Sequence, residues 1–149
     1  MYRSHLLRVG RRSIPYHAYL LTFVCAQRRN HFDSLEFNRV VVNQIYRQCE
    51  ESGVCLIAYV LMPDHCHLLI QLDKTTELSD FVKKVKGNVA KEARPYLAGA
   101  RLWQSGFHER CIRCEVDLVV AARYVVANPL RKKLVDKIGQ FPYWNCIYL

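Results

Sequence analysis

The chain has 149 residues, 51% hydrophobic and 23% charged, the balance of one folded globular domain rather than a disordered or disulfide-stapled one. No apolar run approaches the ~20 residues needed to cross a bilayer, and no signal-peptide core follows the basic N-terminus, so an intracellular, cytoplasmic protein is expected. Twenty-two Lys and Arg against thirteen Asp and Glu leave a net charge of +9; with no basic amphipathic helix to favour a membrane, the expected partner is nucleic acid.

Residues 1–15 form a basic arm ending at Pro15. Tyr16 to Ala26 is rich in aromatic and β-branched residues and reads as a strand, followed by a polar, basic loop from Gln27 to Asn30. Leu35 to Ser52 repeats apolar residues near a 3.6-residue spacing (Phe37, Val40, Val41, Ile45, Cys49) and reads as a helix, closed by Gly53 as a left-handed cap. Val54 to Met62 and His65 to Leu72 read as strands joined by a turn at Pro63-Asp64, because proline cannot donate to a sheet ladder. Thr76 to Ala93 is a second helix, capped by Thr76 or Ser79 and ended by Pro95. Phe107 to Cys114 is a short extended segment. Glu115 to Ala127 is a third helix that stops at Asn128-Pro129. The aromatic tail, 136–149, is expected to pack on the body. This order predicts a single α+β domain, a ferredoxin-like two-layer sandwich with an antiparallel sheet and helices mainly on one face.

Seven cysteines is an odd number, and most lie in apolar segments where a thiol behaves as a small hydrophobe. No disulfide framework is expected in an intracellular domain of this size. Cys111 and Cys114 form one CxxC pair, but the second pair of ligands that a structural zinc site normally wants is not visible.

Two places carry chemistry. In His65-Cys66-His67, an extended chain points residues i and i+2 the same way, so two imidazoles share one face and can share a metal ion. Taken alone, the pattern equally describes two half-buried sheet histidines. Tyr124 and Asn128 lie four apart near the end of a helix and so share a face one turn apart. Alone, they equally describe a rim tyrosine and a helix stop before proline. His108 lies in a strand-like segment, where it could be a third ligand, a base, a phosphate contact or a surface histidine. Lys83, Lys84, Lys86, Lys91, Arg110, Arg113, Arg123, Arg131, Lys132 and Lys133 are candidates for phosphate contacts, and Trp103 and Phe107 could stack on unpaired bases or pack in the core.

Three segments together carry a resemblance: Met62-Pro63-Asp64-His65-Cys66-His67-Leu68-Leu69, the Trp103 to Arg110 stretch WQSGFHER, and Arg123-Tyr124-Val125-Val126-Ala127-Asn128-Pro129-Leu130-Arg131. In order and spacing they resemble the REP-associated tyrosine transposases, within the single-tyrosine HUH transposases of small bacterial insertion sequences. The likeness runs from about Tyr16 to about Val135. It implies the HUH endonuclease fold, a divalent cation (Mg²⁺ or Mn²⁺) held by His65, His67 and Asn128, and Tyr124 as the nucleophile. The implied reaction cleaves and rejoins single-stranded, hairpin-bearing DNA through a 5′-phosphotyrosine. The implied setting is the bacterial nucleoid, with the protein as monomer or homodimer. Two departures stand out: the family commonly has Asn where this chain has Asp64, and an aliphatic residue where it has Cys66. Asp64 brings an extra negative charge near the metal; Cys66 should point to the opposite face. The rival expectations are a non-catalytic nucleic-acid-binding module of the same fold, a metal phosphoesterase that uses water, and a basic structural protein with core histidines.

Overall fold

The computed structural model describes residues 17–149, so the expected basic arm and Tyr16 lie outside the described residues. Strand β1 (Ala18–Val24) leads through a short turn to helix α1 (Leu35–Glu51). A hairpin follows, β2 (Cys55–Met62) and β3 (His65–Gln71), then helix α2 (Leu78–Leu97), strand β4 (His108–Ile112), helix α3 (Glu115–Arg131) and a short strand β5 (Trp144–Cys146). The strands form one sheet in the order β4-β1-β3-β2-β5, and every pairing is antiparallel. The expected α+β sandwich is therefore the fold. The aromatic tail does pack on the body, and it supplies the fifth strand.

Helices α1 and α2 pack together on one face. They bury Phe37, Val41 and Ile45 from α1 and Phe81, Val85 and Val89 from α2 against Leu21, Phe23, Leu68 and Ile70 of the sheet. Helix α3 lies on the other face, with Ala121, Ala122, Val125 and Val126 against Ile57, Val60, Met62 and Leu69. Two of three helices thus share a face as expected, while the third covers the second face. The reason is legible in β2 and β3: Ile57 to Met62 and Cys66 to Ile70 are buried without interruption, the pattern of strands covered on both sides.

Local chemistry sets the ends of the elements. The Ser34 side chain caps α1 by accepting from the Phe37 N–H at 3.1 Å, and Gly53 adopts the left-handed φ of +66° expected of it. A Cβ at Gly53 would also sit 2.9 Å from an Asp73 carboxylate oxygen. Helix α2 is capped differently from expectation: Glu77 stands at the N-cap without a side-chain bond. Thr76 instead donates its hydroxyl to the Ser52 carbonyl. Both helices expected to stop at proline run through it, α2 past Pro95 to Leu97 and α3 past Pro129 to Arg131. A proline in a last turn removes one N–H and one bond. At Pro129 the orphaned acceptor is the Val125 carbonyl, and the Asn128 side-chain amide donates to it at 3.4 Å and to the Tyr124 carbonyl at 2.9 Å.

The loop between α2 and β4 is held by Lys86. Its ammonium donates to the carbonyls of Gln104 and Gly106 at 3.0 and 2.6 Å, and the Trp103 indole donates back to the Lys86 carbonyl. Lys86 also lies 5.7 Å from the centre of the Phe23 ring, so this cation is engaged inside the protein rather than offered to a phosphate. Replacing it removes charge-assisted bonds. Lys86→Met should lower the unfolding free energy by about 1–3 kcal/mol in urea titrations and speed amide exchange in residues 100–107 more than in β3.

Candidate active site

The pleat of β3 determines what the site contains. Cys66 and Leu68 join the α1–α2 core while Leu69 joins the α3 core, so His65 and His67 face α3 and Cys66 faces away, as expected. The two rings meet edge to face with centroids 4.9 Å apart. Thr22 pairs with His67 on one side and with His108 on the other, and Val24 pairs with His65. Across the gap, α3 brings Tyr124, whose ring lies 5.5 Å from that of His67. Thr22, Val24, Arg28, His65, His67, His108, Tyr124, Asn128, Arg131 and Lys132 together line a cleft of about 460 Å³. Motifs from β3, β4 and α3, distant in sequence, thus converge in one cleft.

Each imidazole is engaged through Nδ1. His65 Nδ1 lies 2.7 Å from an Asp64 carboxylate oxygen, and His67 Nδ1 lies 2.8 Å from the Thr22 hydroxyl. That arrangement leaves Nε2 of each ring as the nitrogen available to the cleft. Burial pushes the His67 imidazole down to about 3, with the charges of His65 and Arg131 acting the same way. His67 is thus neutral at physiological pH, the form that binds metals. Burial alone would raise the Asp64 carboxyl, but hydrogen bonding and charge from His65, then Arg28, outweigh it and hold it below its ordinary value.

Tyr124 is 38% exposed, open enough to meet a substrate. The Arg131 guanidinium lies over its ring, 4.0 Å from the centroid, and donates to Asn128 Oδ1 at 3.3 Å. Asn128 is 2% exposed. Its Nδ2 is turned back to the helix carbonyls, so its oxygen is the atom left on the Arg131 side. Two imidazoles, one held neutral by burial, and an amide oxygen line the same cleft and could hold a divalent cation whose remaining positions water and phosphate oxygens fill. His108 shares the cleft, but among the described residues no three His, Cys, Asp or Glu side chains converge as a metal cluster. The third-ligand expectation for His108 therefore finds no support, while its place on the wall suits a phosphate contact or a proton transfer.

The cationic candidates divide by position. Arg131 and Lys132 line the cleft. Arg110, Arg113 and Arg123 are exposed on β4, the β4–α3 link and α3, whereas Lys83 and Lys84 are exposed on α2, which packs on the opposite face of the sheet. Trp103 and Phe107 are core residues, each 6% exposed, and cannot serve as stacking platforms. Arg28 and Thr22, which the sequence did not single out, belong to the cleft. Thr22 had a signal available, since it faces His67 once β1 is paired with β3. All seven cysteines are free thiols, and Cys111 and Cys114 form no disulfide.

The cleft thus sets two imidazoles of the central strand against a tyrosine from a crossing helix. The chain belongs to the IS200-like transposase family, whose sequence pattern matches residues 13–128. It is 26% identical over 137 residues to a Haemophilus influenzae protein that carries the name REP-associated tyrosine transposase, covering 84% of this chain and 77% of that one. Its fold is similar to that of a REP-associated tyrosine transposase bound to a REP hairpin, with a TM-score of 0.78, 19% identity, and 97% of this chain and 81% of that chain covered. It is also similar to a Deinococcus radiodurans protein described as a transposase, with a TM-score of 0.60, 24% identity, and 78% and 93% covered. No helix of the described residues is long and apolar enough to cross a membrane.

The buried, neutral His67 gives a pH signature. Its folded pKa lies below the ordinary 6.5, so its neutral burial contributes stability that is fully present above 6.5 and is lost as pH falls from there toward 3. In EDTA, wild type should lose up to about 1.4 kcal/mol per pH unit through this window from this residue. His67→Gln should show a shallower slope in denaturant titrations run at successive pH values.

Proposed function

We propose that the protein is a metal-dependent single-tyrosine transposase that cleaves and rejoins single-stranded, hairpin-bearing DNA through a covalent 5′-phosphotyrosine. The observation that carries this is the meeting of Tyr124 with His67, ring to ring at 5.5 Å, on a cleft that also holds His65, Asn128 and two cationic side chains from the end of α3. The hairpin partner is supported by likeness to a protein whose structure holds a REP hairpin, and by the +9 charge.

The residues divide the work. Tyr124 Oη attacks the phosphorus, a tyrosine–phosphate bond forms, and the bond from phosphorus to the 3′-oxygen breaks. The proton leaves the phenol, and the departing 3′-oxygen takes one up as a hydroxyl. The bond energy is retained in the aryl phosphodiester, so a 3′-hydroxyl can reverse the step and join strands without a nucleotide cofactor. His65, His67 and Asn128 would hold Mg²⁺ or Mn²⁺, which when bound withdraws charge from the phosphate and orients it for in-line attack. Arg131 and Lys132 bind phosphate oxygens. Arg131 also restricts the Tyr124 ring by lying across it, which keeps the nucleophile beside the imidazoles. His108, on the far side of Thr22, would contact phosphate or carry a proton.

The test is a denaturing-gel assay with labelled single-stranded hairpins from the genomic region around the coding sequence, in Mn²⁺ or EDTA. Wild type should give a protease-sensitive covalent DNA–protein band that EDTA removes. Tyr124→Phe should abolish it, and His65→Ala should reduce it by at least about 100-fold. Cleavage surviving in Tyr124→Phe would assign the nucleophile to water. Tight binding without cleavage, on substrates that include the recognition sequence, would make the chain a binding module.

A further inference from the structure

We propose that Asp64 is a positioning residue for His65: its carboxylate, steadied by Arg28, fixes the imidazole in the tautomer that turns an unprotonated Nε2 to the cleft. The first argument is one of donors and acceptors. An ionised carboxylate can only accept, so the 2.7 Å contact between Asp64 Oδ1 and His65 Nδ1 places the proton of a neutral His65 on Nδ1. The corresponding contact at His67 lacks this force, because the Thr22 hydroxyl can donate as well as accept.

The second argument is that the surroundings hold Asp64 where it is. Its carbonyl accepts from the Cys25 N–H at 2.9 Å, and the Pro63 carbonyl accepts from the Phe32 N–H at 3.0 Å, so the hairpin turn is pinned at both residues. Arg28 reaches the other carboxylate oxygen at 3.4 Å. It does so from a turn in which Gln27 and Arg28 both take a left-handed φ of 55°, a conformation that costs non-glycine residues roughly 1–3 kcal/mol each. Asp64 itself is absent from the cleft wall and completes no three-ligand cluster among the described residues. It therefore stands behind His65 rather than beside it. The negative charge of Asp64 is turned to orienting His65, with Arg28 beside its other oxygen. Partners of this kind, behind a ligating histidine, set its orientation and basicity.

The purpose of the tautomer rests on the proposed function, in which His65 ligates a cation; the tautomer itself does not. The test reads both. Long-range ¹H–¹⁵N NMR of the metal-free protein at mildly alkaline pH reports which ring nitrogen of His65 carries the proton, and Mn²⁺ titration followed by electron paramagnetic resonance reports affinity. Wild type should show His65 protonated on Nδ1. Asp64→Asn retains an acceptor and should keep that tautomer, with affinity within about threefold of wild type. Asp64→Ala should shift His65 toward the Nε2-protonated form and weaken Mn²⁺ binding by about 10–100-fold, with His67 unchanged. An Nε2-protonated His65 in wild type, or an Asp64→Ala protein with wild-type tautomer and affinity, would overturn the proposal. Should Asp64→Ala fail to fold, the wild-type and Asp64→Asn spectra decide. A wild type with the Nδ1 proton but no Mn²⁺ binding would instead count against the metal in the proposed function.

Discussion

Everything in the cleft depends on the pleat of one central strand. β3 is paired on both edges, by β1 and β2, and covered on both faces, so its register is fixed by burial in every direction. Because side chains alternate with a period of two, a slip of one residue would send Cys66 and Leu68 to the α3 side and both histidines into the α1–α2 core. Neither His65 nor His67 could be accommodated there without desolvating two imidazoles among Phe23, Leu61 and Phe81. The hydrophobic residues thus select the register, and the register presents the histidines. Stability and chemistry share a single constraint.

That constraint explains why a strand otherwise buried end to end tolerates two polar rings. They stand at its N-terminal end, beside the Pro63-Asp64 turn, where the α3 core gives way to the cleft. Leu69, two residues further on, is already packed against α3. Moving along the strand, the same face changes from polar to apolar within one repeat of the pleat. The tyrosine is placed by the same boundary: on α3, Val125 is fully buried while Tyr124, its neighbour, remains partly exposed toward His67.

Much of this was legible in the sequence, for physical reasons that differ from residue to residue. The facing of His65 and His67 follows from strand periodicity alone, and the shared turn of Tyr124 and Asn128 from helix periodicity alone. That the two pairs meet could not be derived from either period; it came from a resemblance covering three motifs. The second-face position of α3 was available in the uninterrupted apolar runs of β2 and β3, which demand cover on both sides. The engagement of Lys86 has a different origin. Lys86 and Lys83 look alike in sequence, but the loop at 104–106 turns two carbonyls toward one of them, and sequence-local rules hold no information about a loop eighteen residues away. Trp103 and Phe107 were ambiguous for the same reason: an aromatic residue in a loop is a platform or a core plug depending on what lies beneath it, here Phe23.

Asn128 shows how closely fold and site are joined. A helix running into Pro129 loses the N–H that would satisfy the Val125 carbonyl, and an apolar residue at 128 would leave that acceptor without its substitute donor. The Asn128 amide donates to it and to the Tyr124 carbonyl. An amide has two ends, and committing the nitrogen to the helix leaves the oxygen facing the other way, toward Arg131. The helix repair thereby orients an amide oxygen toward Arg131, which also lies over the Tyr124 ring. Aspartate would offer an oxygen to the site but no donor to the helix carbonyls, and it would set a carboxylate against them. Asparagine alone of that isosteric pair satisfies both demands, and Pro129, by removing one N–H, is what makes the first of them binding.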